Sequence, residues 1–579
     1  MNINKLKSLN EQNVTPFTLK SLFKDKIIWL VFVSLAVLFR SLWIVLNPVY
    51  SSYVFASIEK GIVNLSRIVI LGILVLIWGS VSVFLQGLTL NVIVNKINLD
   101  LNNRYIHGIL KSPVQKLSEI GDGAVMTHLT SDIGSVSGIV NRVVDMLNIP
   151  IRMVMSAAIL LYANYKLAII VLVLLPLVAI LGKKVGNISR KINEKYLTNT
   201  DSQLKIVSRI LKTINVIKTY AVENLFKKDF SNISFNKYKL EMKKAKYTSF
   251  YNGLIDFIID LPFIFLFLLG AFLFQSEGIT VAILLLFLQS LNNISVPFTN
   301  LGNIYVQYQQ TKVSIKRLKE ILDSENIKIK PEVALNKPIE SVRFNSTGFQ
   351  YKEKSVLNNF NFLLSSGKYY AVIGENGCGK STFIKLLLNL YNPVSGSISA
   401  NDIDYKNLNF DEIRNDRRLV YIEDEPMTLF DDFDRNIIFE EEKDEARFRE
   451  TLEAVGLDTI YDEISQKTAD ELSAGQKQRV SIARGLYHLR EGSVLVMDEP
   501  FSSMDAVGVK KMHELFTVWQ KRYNLTVIEI THNLSDMDRF DRIYMFENGK
   551  IIVEGTHQEL MNNAEYQQYV QNYISSINN

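Results

Sequence analysis

The sequence predicts a two-part chain: an α-helical membrane unit of six transmembrane helices with long cytoplasmic extensions, then a soluble α/β unit of the P-loop kind. Three observations predict it. The 579 residues have a mean hydropathy of +0.11, high for a soluble protein, and the apolar residues crowd into the first half. Six stretches there, 27–46, 68–87, 147–162, 167–185, 253–274 and 281–297, approach the roughly 20 apolar residues that cross a bilayer. Beyond a polar linker the texture changes to short β-runs, glycine turns and amphipathic helices, and a glycine-rich loop sits between a strand and a helix.

The membrane unit comes first. An even number of spans puts both termini on one side. Lysines crowd before residue 27 and again within 183–245, so the positive-inside rule makes that side cytoplasmic. The outer connections, 47–64, 164–166 and 275–280, are short. The inner connections are long and read as helical, because apolar residues recur at three and four in "SQLKIVSRILKTINVIKTYAVENLF". Few polar groups interrupt the spans: Arg40 in the first, Asp256 and Asp260 on one face of the fifth, Asn292 and Asn293 in the sixth. Ionisable groups at membrane depth line a polar path or pair with a neighbour. The first reading suits cationic or peptide-like cargo. The second makes these residues helix-to-helix contacts. The single cysteine, Cys378, excludes an internal disulfide and a Cys-based metal site. A net charge of +5 implies little by itself.

The soluble unit carries the chemistry. In "YYAVIGENGCGKSTFIKLLLNLY" an apolar strand, 369–373, runs into Gly374, Glu375, Asn376, Gly377, Cys378, Gly379, Lys380, Ser381 and Thr382, and a helix follows. That is G-x-x-x-x-G-K-[ST] in its confirming context. Glycines let the backbone wrap an anion, and the helix N-terminus adds its dipole. Lys380 reaches the terminal phosphates and Ser381 offers a hydroxyl to Mg²⁺. A second buried strand, "SVLVMDEP", ends in Asp498, suited to Mg²⁺, and Glu499, suited to polarising water. A third, "LTVIEITHN", ends at His532, within reach of a γ-phosphate.

Between the P-loop and "VLVMDEP" lies "LSAGQKQRVSIARG", 472–485. It resembles the signature of ATP-binding cassette (ABC) proteins, with Ala474 where glycine is usual. With "SSMD" at 502–505 and His532 following in order, the whole chain resembles an ABC exporter half-transporter: membrane domain 1–322, linker 323–337, nucleotide-binding domain 338–579. "GDGAVMTHLTSDIGSV" and "INVIKTYAVE" resemble the family's two cytoplasmic loops, each with a short coupling helix. The resemblance implies ATP and Mg²⁺ as cofactors and ATP hydrolysis coupled to export. Tyr351 would stack on adenine, and residues 374–382 would cradle the phosphates. Ser473, Gly475 and Gln476 would meet the ATP of an opposite subunit. Asp505 would connect the two sites, Glu499 would be the base and His532 the switch histidine. One cassette per chain implies a second half-transporter as partner, in a homodimer or heterodimer.

In "YIEDEPMTLF", 421–430, the family expects a glutamine before the pattern x-P-x-L-F, where this chain has Glu425 or Asp424. An acid there is expected to join Ser381 and Asp498 as a metal ligand. Cys378, inside the cradle, is expected to be alkylation-sensitive and protected by ATP. Membrane lipid and a transported substrate are the other expected partners. Nucleic acid is excluded as a partner by the six spans. The cargo expectation places a peptide of bacteriocin or signalling type ahead of a drug or lipid, with an ATP-gated regulatory protein as a further alternative. The location implied is a cell membrane, and the Asn, Ile and Lys usage suits an AT-rich bacterial genome.

Overall fold

The computed structural model describes residues 19–169, 203, 206–277, 279–323, 333–335, 337–351, 354–439, 442–468, 471–502, 504, 506–534 and 536–578. The chain forms two compact units. One holds residues 1–112 and 120–327, the other 113–119 and 328–579.

In the first unit, helix α1 (Ile27–Glu59) and helix α2 (Leu65–Lys111) contain the first two expected spans. The connection between them is shorter than the expected 47–64, because α1 continues to Glu59. It stops where Gly61 adopts φ +64° and the Ile62 and Gly61 amides donate to the carbonyls of Ser57 and Ile58. That double bond closes a helix C-terminus and favours glycine at the left-handed position. Asn64 then caps α2 by accepting from the Arg67 amide at 3.1 Å. Helix α2 has 47 residues, about 70 Å at 1.5 Å per residue, so it extends well past ~30 Å of hydrocarbon.

A short helix, α3 (Val114–Ile120), precedes the stretch that leads into α4 (Ile139–Ala163). Residues Asp122–Ala163 are long and apolar enough to hold the third span, as are Ser21–Glu59 and Leu65–Lys111 for the first two. The fourth expected span, 167–185, falls almost wholly outside the described residues. In the second inner connection, helix α5 (Ile214–Thr219) is separated from α6 (Glu223–Glu277) by a turn in which Ala221 has φ +53°. Helix α6 carries the fifth expected span and α7 (Val281–Leu322) the sixth, its apolar part being Val281–Ile294.

Helix α1 packs on α2, α4 and α7. Beyond the expected span of α2, Ile93, Ile97, Leu101 and Tyr105 form a fully buried stripe at four-residue spacing. The Tyr105 hydroxyl lies 2.8 Å from His128 Nδ1, and Ser314 on α7 donates to Asp132 at 2.6 Å. These bonds join α2, the π-helical turn His128–Asp132 and α7 through side chains sealed from water.

Among the described residues the second unit has a six-stranded and a four-stranded sheet. The four-stranded sheet is antiparallel: β1 (Ser341–Tyr351), β2 (Lys354–Ser365), β4 (Ser395–Ala400) and β5 (Ile403–Asp404), in the order β2-β1-β4-β5. The six-stranded sheet has the order β10-β9-β3-β8-β7-β6. Its strands β3 (Tyr369–Gly374), β6 (Leu419–Ile422), β7 (Val494–Asp498), β8 (Thr526–Ile530) and β9 (Arg542–Glu547) run parallel, and β10 (Lys550–Gly555) is antiparallel. Every residue of β3, β7 and β8 is buried, as near-continuous apolar runs require when both sheet faces are covered. One face buries Tyr369, Ala371, Met497 and Val527 against helices. The other buries Tyr370, Val372, Val496 and Ile528 with Phe344, Phe360 and Phe362 of the second sheet. Parallel strands bring their C-terminal ends to one edge, where ligands bind in such sheets.

Candidate functional site: a phosphate cradle at the strand ends

Strand β3 ends at Gly374, and helix α8 (Lys380–Leu387) begins six residues later. A side chain at Gly374 would strike the Phe546 carbonyl at 2.3 Å, and φ there is +145°. Gly379 caps α8 with φ +114° and a Cβ there would meet Leu357 at 2.9 Å. No side chain caps α8, so its first backbone N–H groups remain available to an anion. The Lys380 ammonium, nearly sealed from solvent, donates to the carbonyls of Gly374 at 2.7 Å and Glu375 at 3.0 Å. Ser381 faces solvent, and Thr382 is buried with its hydroxyl 3.5 Å from the Tyr351 hydroxyl. The half-exposed Tyr351 packs its ring on Phe349 and Tyr391. Glu375, Asn376 and Gly377 form the exposed crest of the loop.

Cys378 is buried, its sulfur fills the space beside Gly374, and burial pushes the thiol above its ordinary value. Attack needs thiolate, so these surroundings argue for slower alkylation than the sequence suggests.

Asp498 ends β7 and is buried. Burial first, then the charges of Asp424 and Glu499, push its carboxyl up to about 6. Glu499 follows with φ +45°, a left-handed conformation disfavoured for a non-glycine residue and typical of functional sites. Its amide is tied to the Ile530 carbonyl of β8 at 3.1 Å. His532 lies two residues past β8, with Nε2 2.9 Å from Glu499 Oε1 but off the line of a well-formed hydrogen bond. Such pairs tighten when substrate arrives.

The three carboxylates of 423–425 separate into three roles. Glu423 pairs with Arg484 at 3.0 Å, and Arg484 also donates to the carbonyls of Asn436 and Met427, both at 2.7 Å. Asp424 is the acid whose charge falls on Asp498. Glu425 is exposed, as is Asp424. The loop is pinned by buried Asn436, whose side chain accepts from the Leu429 and Phe430 amides and donates to the Phe430 and Asp432 carbonyls.

Helix α9 (Ala474–His488) starts in a capping box. Ser473 Oγ accepts from the Gln476 amide at 3.2 Å, and Gln476 Oε1 accepts from the Ser473 amide at 2.9 Å. Ser473 is exposed, and Gly475 has open space at its Cβ position. Helix α10 (Ala506–Tyr523) follows the 502–505 segment, in which Asp505 lies outside the described residues.

Asn293 donates to the Ile44 carbonyl of α1 at 3.1 Å, the helix-to-helix alternative. Asp256, Asp260 and Asn292 are exposed, and Arg40 is half-buried. Sequence reasoning missed Arg484, Asn436 and Glu529. A charged residue inside the apolar run "TVIEI" is a signal that would have revealed the last.

A helical membrane unit joined to a P-loop unit with acids and a histidine at the strand ends defines a membrane protein worked by nucleotide hydrolysis. Residues 29–298 match the ABC transporter transmembrane region, and residues 357–502 match the ABC transporter family. The chain belongs to the ABC transporters, in exporter form, and couples ATP hydrolysis to transport. It is 25% identical over 524 residues to an export ATP-binding/permease protein of Rickettsia typhi, covering 88% of this chain and 89% of that one. It is 25% identical over 536 residues to the ATP-dependent lipid A-core flippase of Salmonella typhimurium, covering 89% of each. The structure of a bacterial Atm1-family ABC exporter with ATP bound shares the fold, with a TM-score of 0.80 and 18% identity over 94% of this chain and 98% of that one.

Proposed function

We propose that this exporter moves a lipid-like amphiphile across a cell membrane, working as a dimer whose cassettes sandwich ATP. A lipid substrate stands in the name of a protein similar along nearly the whole chain, and neither relative named above carries a peptide in its name. The observation that carries the hydrolytic part is the close approach of Glu499 and His532 at the strand ends that also hold the P-loop. Glu499 takes the role of general base toward water. His532 holds it in place and contacts the γ-phosphate. Lys380 and the N–H groups of α8 bind the phosphates, and Tyr351 offers its ring to adenine. Exposed Ser473 and the partly exposed Gly475 and Gln476 form a surface suited to the ATP of a second half-transporter. Asp505 takes the linking role between the two sites.

The donor set fits Mg²⁺. Among the described residues no three His, Cys, Asp or Glu side chains would hold a metal by themselves, so the ion depends on the hydroxyl of Ser381, the carboxylate of Asp498 and the phosphates. Asp424, rather than Glu425, is the additional acid suited to it, because its charge reaches Asp498. Bound there, Mg²⁺ neutralises phosphate charge. Asp424→Asn is expected to raise the Mg²⁺ concentration that half-saturates ATP binding, read with a fluorescent nucleotide. An unchanged midpoint would remove Asp424 from the metal site.

The lysine-rich inner segments support cytoplasmic termini and cassettes. We keep 1–322, 323–337 and 338–579 as membrane domain, linker and nucleotide-binding domain. The deciding experiment reconstitutes the chain in liposomes and follows fluorescent phospholipid between leaflets, with peptide uptake in parallel. Lipid movement that needs Mg-ATP and stops in Glu499→Gln is expected. Peptide uptake without lipid movement would overturn the cargo reading.

A further inference from the structure

Strand β8 reads Thr-Val-Ile-Glu-Ile, and its Glu529 has no exposed surface. A carboxyl group buried this deeply persists only with partners. Three surround it. The Tyr369 hydroxyl donates to Oε2 at 2.7 Å. His513 Nε2 lies 3.3 Å from Oε1, and Arg539 Nη2 donates to the same oxygen at 3.4 Å. Arg539 is itself paired with Asp536 at 3.1 Å. The sheet neighbours across from Glu529 are Met497 on β7 and Ala371 on β3, so no further charge faces it from those strands.

Each partner belongs to a segment that builds the ATP site. Tyr369 starts β3, whose other end is the first glycine of the cradle. His513 sits on α10 and sets its ring edge-on against Phe501, 4.8 Å between centroids, two residues after Glu499. Glu529 is three residues before His532, and Arg539 follows it on the outgoing chain. The main chain completes the link: Ile530 accepts from the Glu499 amide and Val372 from the Thr531 amide.

We propose that Glu529 is a positioning residue for ATP hydrolysis: from inside the sheet it ties together the P-loop strand, the helix behind the catalytic glutamate and the strand that presents His532. Its neutral form is the working one. Burial pushes the carboxyl up to about 8, with the Asp536 charge adding to the rise and the Tyr369 bond opposing it. Turnover should therefore decline as pH rises through about 8 and the buried group takes a charge.

The test uses the full chain in detergent or nanodiscs. Glu529→Gln, neutral at every pH, keeps the shape and stands in for the protonated carboxyl, its NH₂ taking the place of the acid O–H. It should hold kcat at neutral pH within about 2-fold with KM for ATP little changed, and abolish the alkaline decline. His513→Phe keeps the ring against Phe501 and removes its nitrogen from Glu529. It should lower kcat up to about 10-fold and displace the alkaline limb, and it serves if Glu529→Gln fails to fold. Wild-type kcat with a wild-type limb in the folded variants overturns the proposal. So does a kcat that falls only with the folded fraction while the limb stays in place.

Discussion

Two glutamate–histidine pairs lie at β8, and they differ chiefly in their access to water. Glu499 and His532 are 2.9 Å apart at the strand end, each about one-third exposed. Glu529 and His513 are 3.3 Å apart inside the sheet, at 0% and 5%. The residue types are the same, and the surroundings assign the work. The open pair can receive substrate and water and exchange a proton. The sealed pair can only hold its neighbours, and its carboxyl binds a proton far more tightly than an exposed one.

The comparison breaks most sharply at the open pair. Glu499→Gln should lower turnover by at least about 10³-fold while leaving nucleotide binding intact, measured by steady-state hydrolysis and nucleotide titration. Substantial turnover in that variant would move the base elsewhere. His532→Ala should lose about 10²-fold by the same assay, because the base then lacks its holder.

Away from both pairs, Arg484→Ala should lower stability by about 2 kcal/mol, since it strands the Glu423 carboxylate and two backbone carbonyls. A lowered thermal midpoint would report it. The sealed pair should appear in the pH dependence of stability. Glu529 has an ordinary value of 4.5 and a folded value of about 8, so the folded state holds the proton more tightly. Its contribution is complete below 4.5 and is lost as pH rises through about 8. Glu529→Gln should flatten that part of the stability profile, which denaturant titration at several pH values would detect. The smallest effect concerns Cys378: iodoacetamide should react more slowly than with a free thiol, and saturating ATP should change the rate little. Rapid modification suppressed by ATP would restore the expectation from sequence.

Much of the cradle was legible because its residues are neighbours in the chain. Gly374 to Thr382 are one unbroken run of the chain, and Asp498 and Glu499 are adjacent. The helical reading of "INVIKTYAVENLF" was legible in part, since periodicity is local, but it gave no sign of the turn at Ala221 between α5 and α6. The sealed cluster and the Arg484–Glu423 pair were not, because Tyr369 and Glu529 are 160 residues apart and Arg484 and Glu423 are 61 apart. Only the fold makes them meet. The acidic triplet shows the same limit. Spacing left Asp424 and Glu425 as alternatives, and only the folded chain shows that the charge of Asp424 is felt at Asp498. The end of α1 was misjudged because the stop is set by Gly61, well past the membrane-length stretch.

The reciprocal bonds at the start of α9 sort polarity. Each of the two side chains spends its acceptor oxygen inward, Ser473 on the Gln476 amide and Gln476 on the Ser473 amide. The box employs neither the Ser473 hydroxyl proton nor the Gln476 NH₂, so both donors stay open to an anion while each oxygen keeps a second lone pair.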